Sequence, residues 1–103
     1  MELPESIKLW WINYKIKSVE NPGGGHCNIG YIDFEGEAIE IGNDMSKDKE
    51  KVALLHELFH AIFYYTGHQT LKVDEDIVGM LAHNLYHIIK ENKEVGKWLL
   101  EES

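Results

Sequence analysis

The first half of the chain alternates apolar or aromatic residues with polar ones, which is the spacing of half-buried β-strands. We predict a first strand within residues 8–19, with an irregular or short helical turn around residues 7–11. One proline and three glycines in residues 21–25 then interrupt regular structure. Residues 29–34 and 38–41 follow as the two strands of a hairpin, with a tight turn between them.

The second half has apolar residues three and four positions apart, which is the spacing of amphipathic helices. Ser46 is placed to cap the N-terminus of a first helix, and Gly67 is placed to end it. The apolar positions of this helix are Val52, Leu55, Phe59 and Ile62.

Two further helices are expected after this one. The second begins at Asp74 or a neighbouring residue, and its apolar face consists of Val78, Leu81, Leu85 and Ile88. The third runs over about residues 93–100 and is expected to fold back over the core with Val95, Trp98 and Leu99. Strands followed by helices predict an α+β fold. We expect a small antiparallel sheet of about three strands, packed on the first helix and on one or two further helices.

Length and composition narrow the possible functions. A chain of 103 residues predicts a single domain over residues 1–103. Its formal net charge is −8, and all ten basic residues are lysines, which argues against direct nucleic-acid binding. One cysteine excludes an internal disulfide, and no apolar run approaches the roughly 20 residues of a membrane span. With no recognisable signal peptide, we expect a cytoplasmic protein that does not associate with membranes.

The segment His56-Glu57-Leu58-Phe59-His60 is an HExxH motif in the middle of the first predicted helix. Residues four positions apart lie on one face of a helix, so His56 and His60 can bind the same zinc ion. Zinc lowers the pKa of a bound water molecule to about 7, and Glu57 can then act as the general base.

A catalytic zinc ion usually has three protein ligands and one open position. The longer motif HExxHxxGxxH is absent, because Phe63 and Thr66 replace the glycine and the third histidine. Three acidic residues follow His60 at a distance of 14 to 16 residues, and we expect the third ligand among them. Glu75 is the first choice because it flanks the apolar helix face and has the longest reach, Asp76 is the second, and Asp74 stays open. Alternatively, all three only stabilise a helix N-terminus through its dipole.

Other histidines are weaker candidates. His83 and His87 are also four residues apart, and they could hydrogen-bond a zinc-bound water molecule or a transition-state oxyanion, or simply lie on the helix surface. His68 follows the glycine that ends the first helix. His26 and Cys27 beside the glycine-rich loop form a further metal-binding pair of low specificity.

Residues 54–67 resemble the active-site helix of the small ImmA/IrrE-like zinc metallopeptidases. In the compact phage and mobile-element versions, an acid-rich turn and a Leu-Ala-x-x-Leu-Tyr stretch follow this helix, as residues 74–78 and 81–86 do here. The predicted hairpin also matches the strand pair that precedes the helix in that family. The resemblance covers about residues 28–100. It implies a minimal gluzincin-like fold in which His56, His60 and a downstream acid, with Glu75 as first choice, hold zinc and Glu57 is the general base.

The resemblance also implies a peptide or protein substrate, because characterised relatives cleave helix-turn-helix repressors in the cytoplasm. The chain departs from the family at Gly79, where compact relatives often carry an acid, and at His83 and His87, which replace more neutral polar residues.

The leading hypothesis is a zinc-dependent endopeptidase that holds its substrate as an added strand at the sheet edge. The alternatives are a non-catalytic, zinc-stabilised module that binds or inhibits a host or regulatory protein, and a hydrolase of a non-peptide amide. The same ligands would also suit iron(II).

Overall fold

The computed structural model describes residues 2–25, 28–68 and 75–102. It confirms the α+β class, with one four-stranded sheet and three α-helices in these ranges. The predicted starting point of the second helix at Asp74, and the loop residues His26 and Cys27, lie outside them. The strands are β1 (Ser6–Leu9), β2 (Ile12–Val19), β3 (Gly30–Asp33) and β4 (Ala38–Gly42), in the spatial order β1-β2-β4-β3.

The predicted first strand is confirmed as β2, and the chain turns at Trp10 and Trp11 within the predicted irregular segment. The expectation that residues 7–9 are irregular was wrong, because they belong to strand β1. Strands β1 and β2 pair antiparallel, with Leu9 opposite Ile12. Trp10 has φ of 58°, a left-handed conformation that is uncommon for a bulky residue. Two-residue hairpin turns normally take glycine, asparagine or aspartate at such positions. The local sequence therefore carries no ordinary turn signal here.

The prediction of a purely antiparallel sheet of about three strands was also wrong. β3 and β4 form the expected antiparallel hairpin, with Ile32 opposite Ile39. β4 then lies between β3 and β2 and pairs parallel with β2, where Ile16 is opposite Ile39. The sheet is mixed, and β3 is left at one edge.

The first helix, α1, spans Lys47–Phe63. The predicted cap is confirmed, because the Ser46 hydroxyl oxygen accepts a hydrogen bond of 3.2 Å from the Lys49 backbone N–H. After Phe63 the chain forms a wider, π-helical turn over Tyr64–His68. Gly67 within this turn has φ of 89°, a conformation that glycine adopts without strain. The predicted stop at Gly67 was wrong by four residues, because α1 already ends at Phe63.

The core lies between α1 and the sheet. α1 contacts β3 and β4 on one side and the second long helix on the other. Its buried face includes two alanines, which allow the helix to approach the strands closely. The buried apolar cluster consists of Tyr14, Ile16, Ile32, Ile39, Ile41, Ala53 and Ala61.

The second helix, α2, spans Glu75–Glu91 and packs on α1, and the third, α3, spans Lys93–Leu100 and packs against α2. Of the predicted α2 face, Val78 is fully buried, whereas Leu85 and Ile88 are exposed.

The prediction that α3 covers the core was wrong. α1 separates α2 from the sheet, and α3 follows α2 after a single residue, so α3 lies beside α2 rather than over the sheet. Its apolar side chains are therefore exposed: Val95 45%, Trp98 70% and Leu99 60%. Within the described residues, no helix combines the length and apolar character needed to cross a membrane.

Candidate metal centre

The two histidines of the HExxH motif lie one turn apart on α1 and point into the same space. Their Nε2 atoms are 3.2 Å apart. Both side chains are partly shielded from solvent, with exposed fractions of 17% for His56 and 22% for His60. The helix therefore presents two imidazole nitrogens from the boundary between the core and a cleft.

Glu75, the first residue of α2, completes a group of three possible metal ligands. Its Oε2 lies 2.9 Å from His56 Nε2, and its Oε1 lies 2.8 Å from His60 Nε2. The possible ligand atoms of the three residues all lie within 4.8 Å of one another. The antiparallel packing of α2 on α1 thus brings together residues that are 15 and 19 positions apart in the sequence.

These distances fit a tetrahedral ion. Ligand atoms about 2.0–2.1 Å from zinc are separated from each other by about 3.3 Å. Without a cation, both histidines need a hydrogen on Nε2 to donate to the two Glu75 oxygens, and the 3.2 Å contact between their Nε2 atoms is then not a hydrogen bond. A divalent cation at the centre satisfies both nitrogens and the carboxylate at once. The three residues present therefore fit a zinc ion with one open position.

Burial also favours the uncharged imidazole of His60. Desolvation lowers the pKa of His60, although the negative charge of Glu75 opposes this effect. A histidine must be neutral at the coordinating nitrogen to bind a metal. The surroundings of His60 therefore favour the protonation state that a ligand needs.

Glu57 lies beside this group and is 4% exposed. Burial raises its pKa to about 7, and the charge of Glu75 adds to the increase. A carboxyl group with a pKa near neutrality is suited to accept and return protons. Glu57 lines the same cavity as the three possible ligands.

Gly30 makes room for the Glu57 side chain. A Cβ atom at Gly30 would lie 2.9 Å from Glu57 Oε2 and 3.3 Å from its Cγ. Gly30 begins strand β3, so its backbone passes directly over the carboxylate. The sequence offered no sign of this contact, because it depends on β3 lying against α1.

The cleft beside the three possible metal ligands is a cavity of about 610 Å³ between the β3 edge and α1. Phe34 and Tyr64 form one wall, with their rings stacked at a centroid distance of 3.9 Å. Sequence reasoning missed Tyr64, although a signal existed: it follows His60 by four residues and thus continues the stripe of His56 and His60.

Other predicted candidates lie elsewhere. Asp76 is exposed and does not belong to the group of three. His83 and His87 are exposed on α2, with parallel rings 5.9 Å apart, and line a different cavity. Asp74 and the side chain of His68 lie outside the described part of the chain, as do His26 and Cys27.

Comparisons with protein-family models, with curated proteins and with solved structures found no match for this chain. The case for a function therefore depends on the residues themselves. Two features of the site matter for it: a set of three possible metal ligands, of which Glu75 is 69% exposed, and the buried carboxylate of Glu57 in the same cavity.

Proposed function

We propose that this protein is a zinc-dependent metallopeptidase that hydrolyses peptide bonds within protein chains. One observation carries the proposal: the ligand atoms of His56, His60 and Glu75 converge in a cavity that also contains the buried carboxylate of Glu57. Two histidines and one carboxylate are a frequent ligand set of catalytic zinc. A structural zinc site normally has four protein ligands.

The chemistry divides between the ion and Glu57. When bound, zinc supplies Lewis acidity towards water and towards the scissile carbonyl group. Glu57 accepts a proton from the attacking water molecule as the water oxygen bonds to the carbonyl carbon. Glu57 then delivers this proton to the amide nitrogen, the carbon–nitrogen bond breaks, and the free amine leaves. The imidazoles of His56 and His60 are held in position because α1 is packed between the sheet and α2.

The β3 edge supports a peptide as the substrate. β3 pairs with β4 on one side only, and its residues Gly30, Tyr31 and Ile32 line the cleft beside the metal ligands. An extended peptide can pair with such an edge through backbone hydrogen bonds. The pairing would place the peptide backbone along the cleft. A small amide compound has no extended backbone and could not form this pairing.

A helix-turn-helix repressor is the substrate class that the resemblance to ImmA/IrrE-like peptidases implies. The net charge of −8 supports a substrate of this kind, because DNA-binding proteins carry basic surfaces that an acidic protein attracts. The repressor proposal depends on this resemblance and on charge alone.

The test compares the wild type with Glu57→Gln and with Glu91→Gln, an exposed position on α2, as the matched control. Each full chain is loaded with zinc, analysed for metal content and incubated with a proteome-derived peptide mixture. We expect about one zinc ion per chain in all three proteins, with cleavage lost only in Glu57→Gln. Cleavage by Glu57→Gln at the wild-type rate contradicts the mechanism, and a wild type that cleaves nothing contradicts the function.

A non-catalytic module that binds or inhibits a regulatory protein is the second candidate. The observation in its favour is the exposed apolar surface of α3, where Trp98, Leu99 and Leu100 are 70%, 60% and 85% exposed. In that case zinc serves stability, and Glu57→Gln keeps the biological effect of the protein. In the peptidase, the same substitution removes the effect.

A further inference from the structure

A second cavity continues from the metal centre along the groove between α1 and α2. It encloses about 480 Å³, and His56 lines both this cavity and the first one. On α1 it extends from His56 towards the N-terminus, past Val52, and on α2 it passes Gly79 and reaches His83. The cavity therefore begins at a metal ligand and leads away from the cleft.

The absence of a side chain at Gly79 keeps this cavity open. Gly79 lies one helical turn after Glu75, so it occupies the same face of α2. A Cβ atom there would meet nothing within 4 Å, and the backbone is not in the left-handed conformation. A glycine within a helix is less favourable than alanine by up to about 1 kcal/mol. Neither packing nor backbone geometry requires glycine at this position. We infer that the glycine is present because the cavity needs the volume that a side chain would occupy.

The cavity walls are suited to an apolar side chain. Ile29 and Val52 line it from the loop before β3 and from α1, and the Tyr86 ring lines it from α2. Asp48, which pairs with Lys90, and Lys49 also line the cavity, so its charged groups have both signs. The net charge of −8 disfavours an acidic occupant. A large apolar side chain fits this lining better than an acidic one.

We propose that the second cavity receives a large apolar side chain of the substrate residue next to the cleaved bond, and that Gly79 sets the size limit. The proposal rests on the proposed peptidase function. Its position follows from His56: a peptide bond at the metal centre has its neighbouring side chain within reach of both cavities. Gly79 is a specificity-determining residue that takes no part in the chemistry.

The test uses Gly79→Leu, which fills the cavity, and Gly79→Ala, which fills part of it. Gly96→Ala is the matched control, because it replaces a helix glycine on α3 where a Cβ atom makes only an ordinary contact with Ile89. All three substitutions favour the helix, so misfolding does not confound the comparison. The zinc-loaded full chains cleave a proteome-derived peptide mixture, and mass spectrometry records the residues beside each cleaved bond.

We expect the wild type and Gly96→Ala to prefer leucine, isoleucine, methionine or phenylalanine at one position next to the cleaved bond. In Gly79→Leu this preference shifts towards alanine and glycine by at least about tenfold, with a smaller shift in Gly79→Ala. An unchanged preference in Gly79→Leu, or a preference for acidic residues in the wild type, overturns the proposal.

A binding measurement separates this proposal from the peptidase function. Peptide-like hydroxamates, which chelate zinc through the hydroxamate group, are prepared with a methyl or an isobutyl side chain, and their affinities are measured by calorimetry. The proposal is supported if the isobutyl compound binds the wild type more tightly than the methyl compound and this difference is lost in Gly79→Leu. If this result is obtained and no peptide is cleaved, the peptidase function fails but the side-chain cavity stands. Equal affinities of both compounds for the wild type overturn the cavity even if peptides are cleaved.

Discussion

Both long helices carry two histidines four residues apart, yet the two pairs have different surroundings. His56 and His60 on α1 are largely shielded from solvent, and the carboxylate of Glu75 contacts both of them at 2.8–2.9 Å. His83 and His87 on α2 are exposed, and their rings lie parallel at 5.9 Å. Within the described residues, only the first pair belongs to a group of three possible metal ligands.

The difference shows that this spacing is not sufficient for such a site and that the neighbouring elements decide whether it forms. α1 lies between the sheet and α2, so side chains at the boundary between them can contact residues of both. The histidine pair of α2 lines the groove beyond the candidate metal centre, where Gly79 leaves an open space. The same four-residue spacing therefore produces a candidate metal centre on one helix and the lining of a cavity on the other.

The largest expected effect separates the two pairs directly. His56→Ala or His60→Ala should lower zinc affinity by more than about 100-fold, because even a change in the groups that orient a ligand costs about 10-fold to 100-fold. His83→Ala and His87→Ala should leave zinc affinity unchanged. Competition with a chromogenic chelator measures all four. Equal losses of zinc affinity in the α1 and the α2 variants would contradict the assignment of the candidate metal centre to His56 and His60.

The second effect concerns the stability of the metal-free protein and its pH dependence. The raised pKa of Glu57 means that its ionisation opposes folding. The cost is absent below a pH of about 4.5, grows as the pH rises and is complete above about 7. Glu57→Gln should therefore raise the free energy of unfolding at pH 8 by up to about 3 kcal/mol and change it little at pH 4.

Denaturant unfolding in the presence of a chelator measures this effect, with Glu91→Gln on the surface of α2 as the control for replacing a carboxylate by an amide. A Glu57→Gln variant with the same stability difference from the wild type at both pH values would contradict the burial of a charge at this position.

The third effect compares the two glycines beside the site. Gly30→Ala should destabilise the metal-free protein by about 1–3 kcal/mol, because its Cβ atom would lie 2.9 Å from the Glu57 carboxylate. Gly79→Ala should instead stabilise it by up to about 1 kcal/mol. Denaturant unfolding measures both. Stabilisation by Gly30→Ala would show that β3 does not approach Glu57 closely.

The smallest effect concerns the start of α1. Ser46→Ala should lower the free energy of unfolding by about 1 kcal/mol, because the hydroxyl group caps the Lys49 N–H. Ser18→Ala in strand β2 should have a smaller effect, since Ser18 is exposed and does not precede a helix. Thermal unfolding of both variants measures the difference, and an equal loss in each would show that the Ser46 cap contributes nothing special.

The helices and the β3–β4 hairpin could be predicted because their signals are local. α1 has its predicted cap at Ser46, and the bounds of α3 agree with the predicted range. The pairing of β1 with β2 across the turn at Trp10 carries no such signal, and the parallel pairing of Ile16 with Ile39 joins residues far apart in the sequence. Local periodicity contains no information on either feature.

The candidate site divides in the same way. His56 and His60 follow from helix geometry, and the reach of a glutamate at the start of the next helix favoured Glu75, which the structure places beside them. The contact of Gly30 with Glu57 requires the position of β3 relative to α1. The exposure of α3 likewise depends on which helix lies next to the sheet, and amphipathic spacing does not specify that.

Glu75 reaches from the first residue of α2 to both imidazoles of α1, so a zinc ion bound there as proposed would join the two helices. A ligand that binds only the folded chain raises its stability with concentration, by about 1.4 kcal/mol for each tenfold increase above the dissociation constant. Unfolded chains are the ones that cellular proteases degrade. The abundance of this protein should therefore follow the free zinc concentration around it, so that the supply of the metal sets how much of the protein persists.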